Sequence, residues 1–291
     1  MMKHSVLRRF IQILGTILPN SYLVGWFKKP YLYTGDIKGV AAPILNCYAC
    51  PSAIVSCPAG SAQHFIALKS IPYFVLGTMG AIGISFGRAT CGWICPFGFL
   101  QDVLHKIGRL FHLPKISLPA WISYGRYLFL IGLVILAPYL TAGGGEFGEP
   151  GVTWFCRICP QGALEGGIPQ VLLQSELREL IGWLFNTKII ILCSFLIMFF
   201  LSKRIFCRAV CPIGAFLGLF NEISILRLHV DRHVCKSCDI CFNVCPVEHR
   251  VFKSPNSPDC IRCGNCVAYC PLKAVKVTTS FTEKEILGEP I

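Results

Sequence analysis

Seven cysteine-proline pairs in this chain sit in frames with the spacing of metal chemistry, and the plainest frame lies near the C-terminal end. It reads Cys235-x2-Cys238-x2-Cys241-x3-Cys245-Pro246 and repeats after a short insert as Cys260-x2-Cys263-x2-Cys266-x3-Cys270-Pro271. Three thiolates spaced three residues apart converge on one soft, cube-shaped cluster, and the fourth, ahead of its proline, reaches the neighbouring one. The ligand sets are therefore expected to cross. Cys235, Cys238, Cys241 and Cys270 would hold one [4Fe-4S] cluster, and Cys245, Cys260, Cys263 and Cys266 a second. The competing chemistry is a pair of four-thiolate zinc sites, which normally use C-x2-C as two pairs separated by a longer loop.

A second group of frames precedes it. Arg88-x2-Cys91-x3-Cys95-Pro96-x-Gly98 recurs 116 residues later as Arg204-x2-Cys207-x3-Cys211-Pro212-x-Gly214, with Ile107 falling on Ile223 and Leu110 on Leu226. A match in motif and in helical pattern points to internal duplication. Cys57-Pro58-x-Gly60 pairs with Cys159-Pro160-x-Gly162, and Cys47-x2-Cys50-Pro51 against Cys156-x2-Cys159-Pro160 is a competing alignment.

The elements that carry these frames are apolar. Of 291 residues, 54% are hydrophobic and 14% charged, with a mean hydropathy of +0.59. A soluble domain is about a quarter charged, so the composition is that of a membrane protein with a small polar module. The net charge of +12 is spread over loops beside apolar runs and forms no basic stripe, so no nucleic-acid partner is expected. The 18 cysteines cluster ahead of prolines, unlike a secreted disulfide scaffold. No cleavable signal peptide is evident, because Gln12, Pro19 and Asn20 interrupt the first apolar run.

Apolar runs predict spans over 10–27, 65–86, 127–142 and 180–201, with amphipathic segments over 99–113 and from Pro212 to Leu228. The expected fold class is mainly α: a polytopic membrane helical bundle over 1–228, with an internal repeat of two halves at about 41–113 and 150–228. A bacterial-type 2[4Fe-4S] ferredoxin module would follow over 229–276, and a polar tail over 277–291. Counting one span between successive frames puts Cys91, Cys95, Cys207 and Cys211 on the same face as the ferredoxin module. Cys47, Cys50, Cys57, Cys156 and Cys159 fall on the other. Basic residues number 13 in the segments of the first face and 6 in those of the second, which makes the first cytoplasmic and the location the cell (inner) membrane, multi-pass.

Each face can then hold one further Fe-S centre, giving two [4Fe-4S] clusters and one or two more in the membrane domain, a relay across about 30 Å of hydrocarbon. The plainer readings are structural packing of small cysteines and a reversible dithiol. His64 begins a span and can meet a quinone head group. The other histidines near the motifs (His105, His112, His229, His233 and His249) carry no assigned role. Cys193 is expected to be a core residue. No CxxCH and no Gly-rich dinucleotide fingerprint occur, so neither c-type haem nor a bound NAD or FAD is supported.

With these frames placed, the chain resembles the membrane polyferredoxins: NapH of periplasmic nitrate reductase systems, the regulator NosR and cytochrome oxidase accessory ferredoxins. The likeness rests on Cys91, Cys95-Pro96, Cys207, Cys211-Pro212 and the eight ferredoxin cysteines, over roughly residues 65–275. It implies an electron-transfer subunit of an oxidoreductase system, working between a cytoplasmic or quinol donor and a redox partner protein in the membrane or beyond it. The alternative is a reductase that helps assemble a metal centre such as copper, using the outer-face cysteines.

Overall fold

The computed structural model describes residues 2–29, 31–141 and 153–280. The glycine run Gly143–Gly145 and residues 281–291 of the expected tail lie outside them. Helix α1 (Met2–Ile17) closes where Pro19 enters a 3-10 turn, Leu18–Asn20. The expected span over 10–27 is therefore not one helix, since proline withholds the N–H that the helix needs. An irregular segment follows, tied at its ends by a bridge between Ala41 and Ser56. It is buried at Ala41, Ile44, Leu45, Asn46 and Ala53.

Helices α2 (Pro58–Ala67) and α3 (Tyr73–Phe86) replace the single span expected over 65–86. The chain breaks between them at Lys69, which has φ +54°, and at Pro72. After α3 come α4 (Ala89–Trp93) and α5 (Pro96–Leu110), then α6 (Ala120–Thr141), which contains a π-helical stretch from Phe129 to Leu136. Short helices α7 (Phe155–Ile158), α8 (160–173) and α9 (Ser175–Glu179) lead to α10 (Trp183–Leu201). Helices α11 (Ile205–Ala209) and α12 (Pro212–Leu219) complete the apolar part. Helices α4 and α5 begin 116 residues before α11 and α12, respectively.

Helices α6 and α10 are long and apolar enough to cross a membrane, and α3 is a shorter apolar helix. Cys193 on α10 is exposed and not in the core. Where α5 meets α10 and α11, Phe97 is edge-on to Phe206 at 4.9 Å and to Phe199 at 5.5 Å, and Phe195 is edge-on to Phe206 at 5.4 Å. These rings fix the two CxxxCP segments against each other.

Strand β1 (Leu226–Val230) pairs antiparallel with β2 (Val275–Thr279), from Leu226 opposite Thr279 to Val230 opposite Val275. The helical run expected to reach Leu228 ends earlier, because Leu226, Leu228 and Val230 alternate with Arg227 and His229 at the period of a strand. The strand pair brackets α13 (Ile240–Asn243) and α14 (Asn265–Tyr269). It extends beyond the 229–276 limits expected for the module, and its second strand includes the start of the expected tail.

Candidate iron-sulfur centres

In the module the chain turns left-handed at Ser237, Asp239, Arg262 and Gly264, at equivalent places in the two frames. Non-glycine residues adopt that conformation at a cost of roughly 1–2 kcal/mol. Here it coils the backbone so that N–H groups point at sulfur. The Arg262 N–H donates to Cys260 Sγ at 3.4 Å, and the His249 N–H to Cys245 Sγ at 3.4 Å. Cys235, Cys238, Cys241 and Cys270 line one pocket with Phe252 and Pro271. Cys245 lies instead in the field of Cys263 and Cys260, as Cys266 does. Cys270 thus lies beside the first three thiols of the other frame, and Cys245 beside those of the second. The first set is partly exposed, whereas Cys245, Cys260, Cys263 and Cys266 are buried.

The CxxxCP cysteines form a third group. Cys91, Cys95, Cys207 and Cys211 are buried, and Cys211 lies in the field of the other three. Cys95 and Cys211 each precede a helix whose first residue is proline. The Gly214 N–H donates to Cys211 Sγ at 3.5 Å, and Gln101 Nε2 to Cys207 Sγ at 3.1 Å. Burial pushes the Cys95 thiol up to about 12 and raises Cys207 and Cys211 as well. Such thiols are poor nucleophiles for disulfide exchange and need a metal to become thiolates.

Two arginines, placed reciprocally, lock this group. Arg88 Nη2 donates to the Cys207 carbonyl, and Arg204 Nη1 to the Cys91 carbonyl at 2.6 Å. Each reaches across from its own CxxxCP segment, over the glycine of the other. A Cβ on Gly214 would stand 2.6 Å from Arg88 Nη2, and one on Gly98 would stand 3.3 Å from Arg204 Nη1. Both arginines belong to the repeated Arg-x2-Cys pattern, but the pattern carries no sign of this exchange.

Of the five remaining cysteines, Cys156 lies in the field of Cys57, Cys159 and Cys47. Cys50 is surrounded differently, by Glu165, Lys38 and the amides of Ser52 and Ala53. Cys57 and Cys159 precede the proline-started helices α2 and α8. Glu165 accepts from the Cys47 N–H at 2.9 Å, and burial lifts its carboxyl to about 7.

The buried segment between Ala41 and Ser56 links the last two groups. The backbone amide of Leu45 faces Cys95, and the next amide, Asn46, faces Cys57. On the other side, Arg204 lies in the field of both Cys207 and Cys263, which places a guanidinium between the CxxxCP group and the ferredoxin module. The module is seated closely there: Trp93 Nε1 donates to the Arg262 carbonyl at 3.0 Å, and a Cβ on Gly92 would stand 2.5 Å from the Ile261 carbonyl. Gly92→Ala is expected to loosen the module by 1 kcal/mol or more, roughly the cost of overpacking, and limited proteolysis would show this as faster cleavage within 231–260.

Among the described residues, no three His, Cys, Asp or Glu side chains are grouped as ligands of a single metal ion. Four-iron cubes hold their thiolates further apart than one ion does. The donor sets, all thiol and met by N–H groups, fit such cubes. His64 is exposed, its ring edge-on to Phe65 at 6.1 Å.

The sequence pattern of a 4Fe-4S binding domain matches residues 68–114, 151–171 and 187–231, which contain the CxxxCP frames as well as Cys156 and Cys159. An uncharacterized protein of Methanocaldococcus jannaschii is 28% identical over 78% of this chain and 88% of its own length. The ferredoxin-type protein NapH of Haemophilus influenzae is 26% identical over 93% of this chain and 87% of its own. The methylamine utilization ferredoxin-type protein MauN of Methylorubrum extorquens is 26% identical over 84% and 75%. No solved structure matches. With grouped cysteine frames, a matching 4Fe-4S binding-domain pattern and relatives of this kind along most of its length, the chain is similar to the ferredoxin-type 4Fe-4S proteins.

Proposed function

We propose that this chain is a multi-pass membrane iron-sulfur protein that carries single electrons between a donor on the ferredoxin side and a redox partner protein at the other end of its cysteine series. Four thiol sets would hold four clusters. They are Cys235, Cys238, Cys241 and Cys270; Cys245, Cys260, Cys263 and Cys266; Cys91, Cys95, Cys207 and Cys211; and Cys47, Cys57, Cys156 and Cys159. When bound, such clusters supply one-electron redox chemistry over a wide range of potentials. The chain's own residues space the sets, exclude water, direct N–H groups at sulfur, and place Arg88 and Arg204 where extra negative charge is stabilised.

The observation that carries this reading is the consecutive pair Leu45 and Asn46, whose amides face thiols of two different sets. Isolated structural cysteines would need no such continuity. Exposed apolar side chains on α10, such as Ile190 and Ile197, support lipid around it. The excess of basic residues on the ferredoxin side supports a cytoplasmic module. The offset common to α4–α5 and α11–α12 supports an internal duplication. The copper-handling alternative draws less support, because Cys50, Cys57 and Cys159 are buried and soft-ion hand-over needs open thiols.

Iron and acid-labile sulfide on anaerobically purified protein test the proposal. About sixteen irons per chain are expected from four clusters, with distinct EPR signals appearing on stepwise reduction. About eight would confine iron to the module and overturn the series.

A further inference from the structure

Between α1, α5 and the ferredoxin module lies a cavity of about 410 Å³, within the range of small-molecule sites. Its lining includes Arg9 from α1, Lys106 and Arg109 from α5, Lys115 from the following linker, and Lys203 from the turn after α10. Asp102 is the one carboxylate among its lining residues, and it is already matched. It takes two hydrogen bonds from Arg204, both 2.8 Å, and one from Arg8 at 2.7 Å. Glu248 meets Lys115 at 2.9 Å but also Arg208 at 2.7 Å, so that trio keeps one positive charge. Lys203 and Arg109 reach backbone carbonyls, which leave their charges unneutralised.

His105 supplies an independent observation. It is 8% exposed, it lines this cavity, and its Nδ1 has no hydrogen-bond partner. Burial lowers its pKa and the charges of Lys203, Arg109 and Lys115 lower it further, while Asp102 opposes them. The module's side of the cavity is formed by Val244 and Pro246, which flank Cys245.

From this geometry we propose that the cavity binds a phosphate-bearing anion, either a free phosphate compound or the phosphate of an anionic lipid headgroup, and that the bound anion clamps the module against α1 and α5 beside Cys245. Cations from separate segments match a ligand with several acceptor oxygens and more than one negative charge better than a single carboxylate. A cytoplasmic-side basic pocket is also where anionic headgroups settle.

The test uses full-length, iron-loaded protein. Pyrophosphate is titrated calorimetrically at low salt into delipidated protein in detergent, and in parallel phosphatidylglycerol retention is measured from mixed phosphatidylcholine nanodiscs. Saturable binding of either probe is expected, weakened about tenfold or more by Lys106→Gln with Arg109→Gln, and by His105→Leu, while Lys253→Gln changes nothing. Binding of pyrophosphate identifies a free phosphate as occupant, and retention of phosphatidylglycerol alone identifies a lipid. The proposal is overturned if neither probe binds saturably, if the variants bind as the native protein does with iron content unchanged, or if only an acidic protein is captured.

Discussion

Arg204→Met is expected to destabilise the protein by about 3–5 kcal/mol, the cost of breaking a buried ion pair by removing one partner. Arg204 is fully buried and meets Asp102 through two 2.8 Å hydrogen bonds while donating to the Cys91 carbonyl. Burial by itself would raise the Asp102 carboxyl, but Arg204 and Arg8 outweigh it and hold the group well below the usual carboxylate range. Removing Arg204 leaves that carboxylate to Arg8 and Gln12 and frees a buried carbonyl. Arg204→Lys is expected to recover only part of the loss, because an ammonium cannot serve both oxygens in one plane and the carbonyl as well. Arg250→Met is the contrast. It breaks an ion pair with Asp239 in which both side chains are nearly half exposed, and a change below about 1 kcal/mol is expected. Denaturant unfolding in detergent measures all three, and equal losses for Arg204→Met and Arg250→Met would contradict this account.

Serine substitutions should sort the cysteines by iron content. Cys207→Ser is expected to remove about four irons per chain, one cluster's worth, and with them one EPR signal, while the signals of the module persist. Cys57→Ser should do the same for the set nearest Glu165. Cys50→Ser should leave iron unchanged, because the cysteines in whose field Cys156 lies are Cys57, Cys159 and Cys47. Loss of iron on Cys50→Ser with retention on Cys47→Ser would reverse the assignment within that loop. Cys193→Ser is expected to be silent in both readouts, since its thiol is exposed on α10.

Cysteine spacing along a few residues is a local property, so much of the site could be read from the chain. The helices beginning at Pro96 and Pro212 and the recurrence of Arg88-x2-Cys91 as Arg204-x2-Cys207 are legible as pattern, and the spacing of the module's cysteines predicts crossed sets. The apolar runs of α6 and α10 were visible for the same reason, though the breaks at Pro19 and Lys69 displaced the first two spans. What required the tertiary structure was every choice made between distant segments. Cys47, Cys50, Cys57, Cys156 and Cys159 come from distant segments, and only packing brings Cys156 into the field of Cys57, Cys159 and Cys47. Counting spans treats 41–56 as an outer loop, but its apolar residues and Asn46 are buried, where backbone N–H groups need partners and two of them face sulfur. The exchange of Arg88 and Arg204 between the two CxxxCP segments, and the cationic cavity joining α1 to the module, are set by which faces meet when the apolar surfaces close on one another.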